Sequence, residues 1–182
     1  MDASEAIFKR RTAHLFESKK VSERIIENAI KAANQAPCHK LTFPWRFYSV
    51  SREKRNQILN LAISIKSKDK NLQQKSKDIL KDKYKNPSHL LIASQILNDD
   101  KLIKKEDYAA CSCAIQNLSI SLASEGVCSK WSTGAITRDP KLYEITKINS
   151  LKEEIIGFIW IGYRRNLPQI SRPLISKIYK QI

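Results

Sequence analysis

The stretch that decides the fold is Ile155-Ile156-Gly157-Phe158-Ile159-Trp160-Ile161-Gly162-Tyr163. Its side chains are apolar at odd and even positions alike, and only glycine interrupts them. A strand with one wet face alternates apolar and polar residues, whereas an unbroken apolar run reads as a strand covered on both faces. Leu90 to Leu97 has a similar character and follows a turn at Asn86-Pro87-Ser88. Trp45 to Val50 reads as a further strand. Helices must then cover the sheet.

The intervening sequence contains them. Residues 3–11 read as a short helix with Arg10 and Arg11 near its end. Ser22 is a good N-cap, with Val21 and Ile26 placed as a hydrophobic staple. Ile25, Ile26, Ala29, Ile30 and Ala33 then follow helical spacing up to a stop at Pro37. Ser51 can cap a helix whose apolar side is Ile58, Leu59, Ala62, Ile63 and Ile65. Tyr108 to Ser124 is apolar or small on nearly every face, which predicts a helix central in the core, with Gly126 as its stop. Residues 66–86 are Lys-rich and weakly apolar, and read as a solvated helix or as a lid whose lysines attract anionic substrates. The expectation is an α+β fold in three layers (α/β/α), one domain over residues 1–182.

Composition narrows the class. A chain of 182 residues fits one domain with a normal core. The hydrophobic share is 42% and no apolar run approaches the ~20 residues of a membrane span. No signal-like apolar core precedes Arg10, so the expected location is cytoplasmic, with no membrane partner. Cys38, Cys111, Cys113 and Cys128 are expected as thiols, the Cys111/Cys113 pair as small core residues, with no metal site. The net charge of +15 admits nucleic acid or an anionic ligand, but its lysines are spread over solvated faces and no nucleic-acid motif accompanies them. Nucleic acid is therefore not expected as a partner.

Two early segments carry chemistry. Arg10-Arg11-Thr12 offers two fixed cations and a hydroxyl. Ala36-Pro37-Cys38-His39-Lys40 is a proline-bounded loop with an imidazole, running into Pro44-Trp45-Arg46-Phe47. Arginine forks suit phosphate and the polar edge of a planar heterocycle. Taken alone, each piece has an ordinary reading. The arginines could be a helix end favoured by the macrodipole, His39 a satisfied surface or core residue, and Trp131 a core aromatic rather than a cofactor wall. His14 and His89 read as structural. Gly134 would allow close backbone approach.

The ordered set resembles the FMN-dependent nitroreductase family, and is most similar to the small bacterial NAD(P)H nitroreductases. The matching pieces are Arg10-Arg11-Thr12, Ala36-Pro37, Pro44 to Phe47, Asn86-Pro87, Ala114 to Leu118 with Ala123 to Gly126, Trp131 to Ala135, and Ile156-Gly157-Phe158 with Gly162. The resemblance implies a nitroreductase-like fold, a central mostly antiparallel sheet flanked by helices, in an intertwined homodimer with FMN at the subunit interface. It implies flavin contacts from Arg10, Arg11, Thr12, Trp131, Ser132, Thr133 and Gly134 of one subunit and from Gln35 and His39 of the other. Arg172 would hold the FMN phosphate. Ser121, Leu122, Ala123, Ser124, Glu125 and Gly126 would contact NADH or NADPH. Two positions of the family's Pro-Ser-x-x-Asn-x-Gln-Pro-Trp motif are Leu41 and Phe43 here, and Gln35 stands where Arg is common.

The implied activity is an oxidoreductase with no catalytic side chain, because flavin N5 carries the hydride. A ping-pong exchange would deliver electrons to a nitroaromatic, quinone or similar small acceptor. The alternatives are a non-redox flavin-binding or degenerate member and, further off, a basic nucleic-acid-binding protein.

Overall fold

The structure, a computed structural model, describes residues 1–67 and 72–182. Its four strands are β1 (Trp45–Ser49), β2 (His89–Ile96), β3 (Cys128–Ser132) and β4 (Glu153–Gly162). They form one sheet in the order β1-β2-β4-β3, antiparallel throughout. The run quoted above is thus an inner strand, with Ile159 paired to Leu91 on one side and Trp131 on the other. β3 was not read from the sequence, because Cys-Ser-Lys-Trp-Ser has no apolar run to betray it.

Both faces of β2 and β4 are covered, as their composition requires. Leu91, Ala93, Ile156, Ile159 and Ile161 pack under α2 (Glu23–Ala33) and α5 (Lys101–Ser124). Leu90, Ile92, Ile155, Phe158 and Trp160 pack under α3 (Arg52–Ser67), α4 (Gln74–Lys85) and α6 (Pro140–Thr146). Burying a side chain such as Phe158 contributes about 1.5–3 kcal/mol. The three-layer α+β expectation holds.

Ile155 and Phe158 share a face despite their odd spacing because β4 carries a bulge. Ala93 pairs with Gly157 and Ser94 with Ile155, leaving Ile156 as the extra residue. Gly157 has φ +154°, and a Cβ there would strike the Trp131 indole, with Cδ1 2.7 Å away. Glycine thus lets the indole lie against β4, where its Nε1–H donates to the Ile156 carbonyl at 3.1 Å.

Several boundaries differ from expectation. α1 spans Ala3–Lys9, capped by the Asp2 carboxylate on the Glu5 N–H at 2.7 Å. It ends before the arginine pair, since Arg10 has the extended angles φ −57°, ψ 128°. α2 stops at Ala33, and a turn over residues 34–36 leads to Pro37. α5 begins seven residues before Tyr108, where the Asp100 side chain accepts from the N–H groups of Leu102 and Ile103. That first turn is charged, which hid it. α5 is also one-sided rather than enclosed: Ala110, Cys111, Ala114, Ile115, Leu118 and Leu122 are buried, while Tyr108, Ala109, Cys113 and Gln116 are exposed. Cys113 therefore departs from the expected core pair.

The expected lid over residues 66–86 includes 68–71, which lie outside the described residues. α4, within it, buries Leu80 and Tyr84, and Tyr84 meets Trp160 edge-on at 4.8 Å. A Lys-rich helix can bury so few residues and still be anchored, because its exposed lysines need no partner.

Candidate functional site

After α1 the chain runs extended beside the start of β3. Thr12 bridges Ser129 in parallel, and the Ala13 N–H donates to the Ser129 carbonyl at 3.3 Å. This contact brings Arg10-Arg11-Thr12 to the strand that ends in Trp131-Ser132. The Arg11 guanidinium turns back to donate to the carbonyls of Phe8 at 2.6 Å and Arg10 at 2.8 Å. It is thereby fixed as a cation without a carboxylate partner among the described residues.

A cavity of about 360 Å³ opens here, with Phe8, Arg10, Arg11, Ala123, Gly126 and Arg164 in its wall. Two expected flavin residues and two expected nucleotide residues thus share one wall. Arg164 was missed by sequence reading. Its signal was its place in a second arginine pair, Arg164-Arg165, directly after β4. It is half-buried and donates to Cys128 Sγ at 3.4 Å.

Gly126 is positioned by the end of α5. It has φ +72°; its N–H donates to the Ala123 carbonyl at 3.0 Å and the Val127 N–H to the Leu122 carbonyl at 2.9 Å. This is a Schellman cap, closed by apolar packing of Val127 with Leu122. Of the six expected nucleotide residues, Leu122 is wholly inside the core, whereas Ser124, Glu125 and Gly126 face solvent.

Trp131 is half-buried against the core and 6.4 Å from the Tyr108 ring, tilted 41° to it. Both readings of Trp131 therefore retain support: it packs on Gly157 and also has an open side. Ser132 Oγ accepts from Trp160 Nε1 at 2.8 Å, so this hydroxyl is engaged within the sheet. Thr133 and Gly134 are exposed, and a Cβ at Gly134 would meet nothing within 4 Å. The loop there is open ground.

Gln35 and His39 lie elsewhere on the chain. Gln35 is exposed beside Asn117, Ser121 and Ser124 of α5 in a separate concavity of about 450 Å³. His39 is exposed toward the N-terminal half of α5, with Nε2 3.9 Å from the Glu106 carboxylate. Arg172 sits in an exposed C-terminal segment. One chain therefore joins the Arg10-to-Thr12 segment to β3, but of the expected flavin residues only Arg10 and Arg11 line that cavity; Thr12, Gln35, His39, Trp131 to Gly134 and Arg172 do not.

The loop bearing His39 is backbone-strained. Lys40, Leu41 and Phe43 have φ of 55°, 53° and 45°, each a conformation costing on the order of 1–3 kcal/mol in a non-glycine residue. Buried Asp107 holds the loop: the Thr42 hydroxyl donates to it at 2.5 Å, and Cys38 Sγ lies 3.2 Å from the same hydroxyl and accepts from the Phe43 N–H at 3.2 Å. Sequence reading missed Thr42 and Asp107, whose only signal was a carboxylate on a helix face otherwise apolar. Cys111, one turn along α5, has its thiol pushed up to about 12 by burial, with further push from the charges of Asp107 and Cys38. It stays protonated at neutral pH and is no nucleophile. Among the described residues, no group of three or more His, Cys, Asp or Glu is placed to hold a metal ion.

The sequence profile of the nitroreductase family matches residues 7–163. The chain belongs to that family. It is 29% identical over 166 residues to YfhC of Bacillus subtilis, which carries the name of an NAD(P)H nitroreductase, covering 90% of this chain and 84% of that protein. Its fold is that of a nitroreductase-like family protein from Bacillus cereus, with a TM-score of 0.86 at 22% identity over 100% of this chain and 96% of that one. A variant of the FMN- and NADPH-dependent nitroreductase NfnB from Sphigopyxis superposes with a TM-score of 0.82 at 12% identity, covering 100% and 99%. The family and fold expected from the ordered motifs are both met.

Proposed function

We propose that this nitroreductase-family chain is an FMN-dependent oxidoreductase that takes a hydride from NAD(P)H and reduces nitroaromatics, quinones or similar electron-poor acceptors. The observation that carries this reading is the bridge of Thr12 to Ser129, which lays the arginine-bearing segment along the strand that leads to Trp131 and Ser132. The donor set fits the cofactor's chemistry. Arg11, held by two carbonyls, and Arg10 beside it are cations for phosphate or the pyrimidine edge. Gly134 leaves room for a close backbone approach. FMN, when bound, supplies the hydride chemistry, so the chain needs no nucleophile of its own.

The residues have distinct tasks on this reading. Arg10 and Arg11 bind and orient, and their charge favours an anionic reduced cofactor. Thr12 offers a hydroxyl. Trp131 walls the pocket. Ser124, Glu125 and Gly126 border the nicotinamide nucleotide, and Leu122 packs behind them. Donor and acceptor use one pocket in turn, which is a ping-pong order. α4, with its exposed Lys75, Lys81 and Lys85, serves as a cover that attracts anionic substrates. The proposed location is cytoplasmic; among the described residues, no helix is long and apolar enough to cross a membrane.

Gln35 and His39 reach this site from a second copy. A homodimer is supported by the open face of α5 and by residues 165–182, none of which is buried although they include Leu167, Leu174, Ile175, Ile178 and Tyr179. Arg172 lies in that segment and would enter the site with it.

Purified protein is expected to be yellow and to release FMN on denaturation. Arg10→Ala should lose most of its FMN, while the cofactor-free forms of variant and wild type melt at the same temperature, because the Arg10 side chain is half-exposed and makes no ion pair among the described residues. Colourless protein that takes up no added FMN would overturn the reading. Flavin-loaded protein that fails to oxidise NADH or NADPH with a quinone acceptor would favour the non-redox alternative.

A further inference from the structure

A second cavity, of about 530 Å³, is lined by none of the expected flavin or nucleotide contacts and lies between the chain preceding α2, the first turns of α3 and the Asn86-Pro87-Ser88 turn. Lys19, Lys20, Arg52, Arg55 and Lys85 line it. Glu23 is the only carboxylate among the described lining residues, and it is already paired with His89 at 3.0 Å. Lysines alone would signify little in a chain of net charge +15. Arg55 is different.

Arg55 is half-buried and its guanidinium has only neutral partners: Nη1 donates to the Pro87 carbonyl at 2.7 Å and Nη2 to the Ser88 carbonyl at 2.9 Å. Nε is buried with no acceptor, the one such side-chain atom among the described residues. No carboxylate among those residues forms an ion pair with it. Burying a charge without a counter-ion is costly, and the group's protonation is correspondingly disfavoured by burial. The carbonyl bonds hold the fork in place against that cost. The N-terminal turn of the 16-residue α3, capped by Ser51 Oγ on the Lys54 N–H at 3.2 Å, adds the positive end of a helix dipole to the same wall.

We propose that this cavity is an anion site for a small phosphorylated compound, with Arg55 as its half-buried counter-charge and Lys20 and Arg52 as its exposed clamps. Phosphate is favoured over a carboxylate because several cations surround one space, which rewards a multiply charged group. The volume is within the range of small-molecule sites, and the polar wall suits a ligand dominated by phosphate. The inference does not rest on the flavin reading.

The test is calorimetric titration of FMN-saturated protein with inorganic pyrophosphate, so that the flavin's own phosphate position is filled. Saturable binding with a Kd below about 1 mM is expected. Lys20→Ala/Arg52→Ala should weaken it at least about tenfold with FMN content unchanged. Lys141→Ala/Lys152→Ala, which removes equal charge elsewhere, should leave it intact. ADP binding more tightly than pyrophosphate would assign a phosphate ester, and the reverse an inorganic phosphate; either upholds the site. No saturation at several times that concentration overturns it, as does equal affinity in the Lys20/Arg52 variant or an equal loss in the Lys141/Lys152 control.

Discussion

The ammonium of Lys83 lies 5.0 Å above the Trp160 ring, and burial, reinforced by the charges of Lys130 and Lys66, pulls its pKa down to about 8. The aromatic face recovers only part of the lost hydration, about 0.5–2 kcal/mol. In the unfolded chain the amine keeps its ordinary affinity for the proton, so the folded state is the weaker base. Below about pH 8 both states carry the proton and folding bears the whole cost of burying the charge. From about 8 to 10.5 the unfolded state binds more protons, and this group's contribution to stability rises with pH. Lys83→Met should therefore be more stable than the wild type at pH 7, and the gap should shrink by pH 10. Urea denaturation of both proteins at the two pH values checks this. Tyr48, raised to about 12 mainly by burial and then by its bond to Glu153, is present in both and drops out of the difference. A gap independent of pH would refute the assignment. In the sequence, Lys81, Lys83 and Lys85 look alike; only the packing of Tyr84 against Trp160 singles out the middle one. Thr42 and Asp107 were hidden for the same reason, since their bond spans 65 residues.

At the scale of elements, two glycines with positive φ separate strain from crowding. Gly126 ends α5 with open space around a would-be Cβ, so Gly126→Ala meets only the left-handed penalty of roughly 1–2 kcal/mol. Gly157 sits in the β4 bulge under Trp131, so Gly157→Ala adds a collision to the strain and should cost roughly 2–4 kcal/mol. Denaturant midpoints of the two variants give the order, and red-shifted Trp emission should accompany only Gly157→Ala. Equal costs would mean that the indole moves aside freely. The helix stop at Gly126 was legible because a Schellman cap is local: residues 122 to 127 contain all of it. The long apolar strands were legible for a similar reason, since burial on both faces leaves a mark on composition. The bulge was not, because register depends on β2, some 60 residues away. Neither was β3, whose mixed residues are made a strand by pairing with β4.

At the scale of the whole molecule, residues 165–182 are the part that a single chain does not explain. They carry Leu167, Ile170, Leu174, Ile175, Ile178 and Tyr179, all exposed, and bury none of them. Apolar side chains in such density imply a surface that covers them. On the proposed dimer reading, the open face of α5, with Tyr108, Ala109 and Cys113 exposed, is the surface that would receive them in a second copy. The motifs were legible as an ordered family set, but their assembly was not: Arg10 to Thr12 join β3 through a bridge within the chain, while Gln35, His39 and Arg172 would reach the proposed site only from a partner. Removing residues 166–182 should therefore act twice, turning dimer into monomer and releasing FMN through loss of Arg172 and of the partner's loop. Sedimentation and flavin absorbance measure the two effects. Arg172→Ala in the full chain separates them, since it should lower FMN content while leaving the dimer intact. A truncated protein that remains a flavin-loaded dimer would show that the arm covers neither interface nor site.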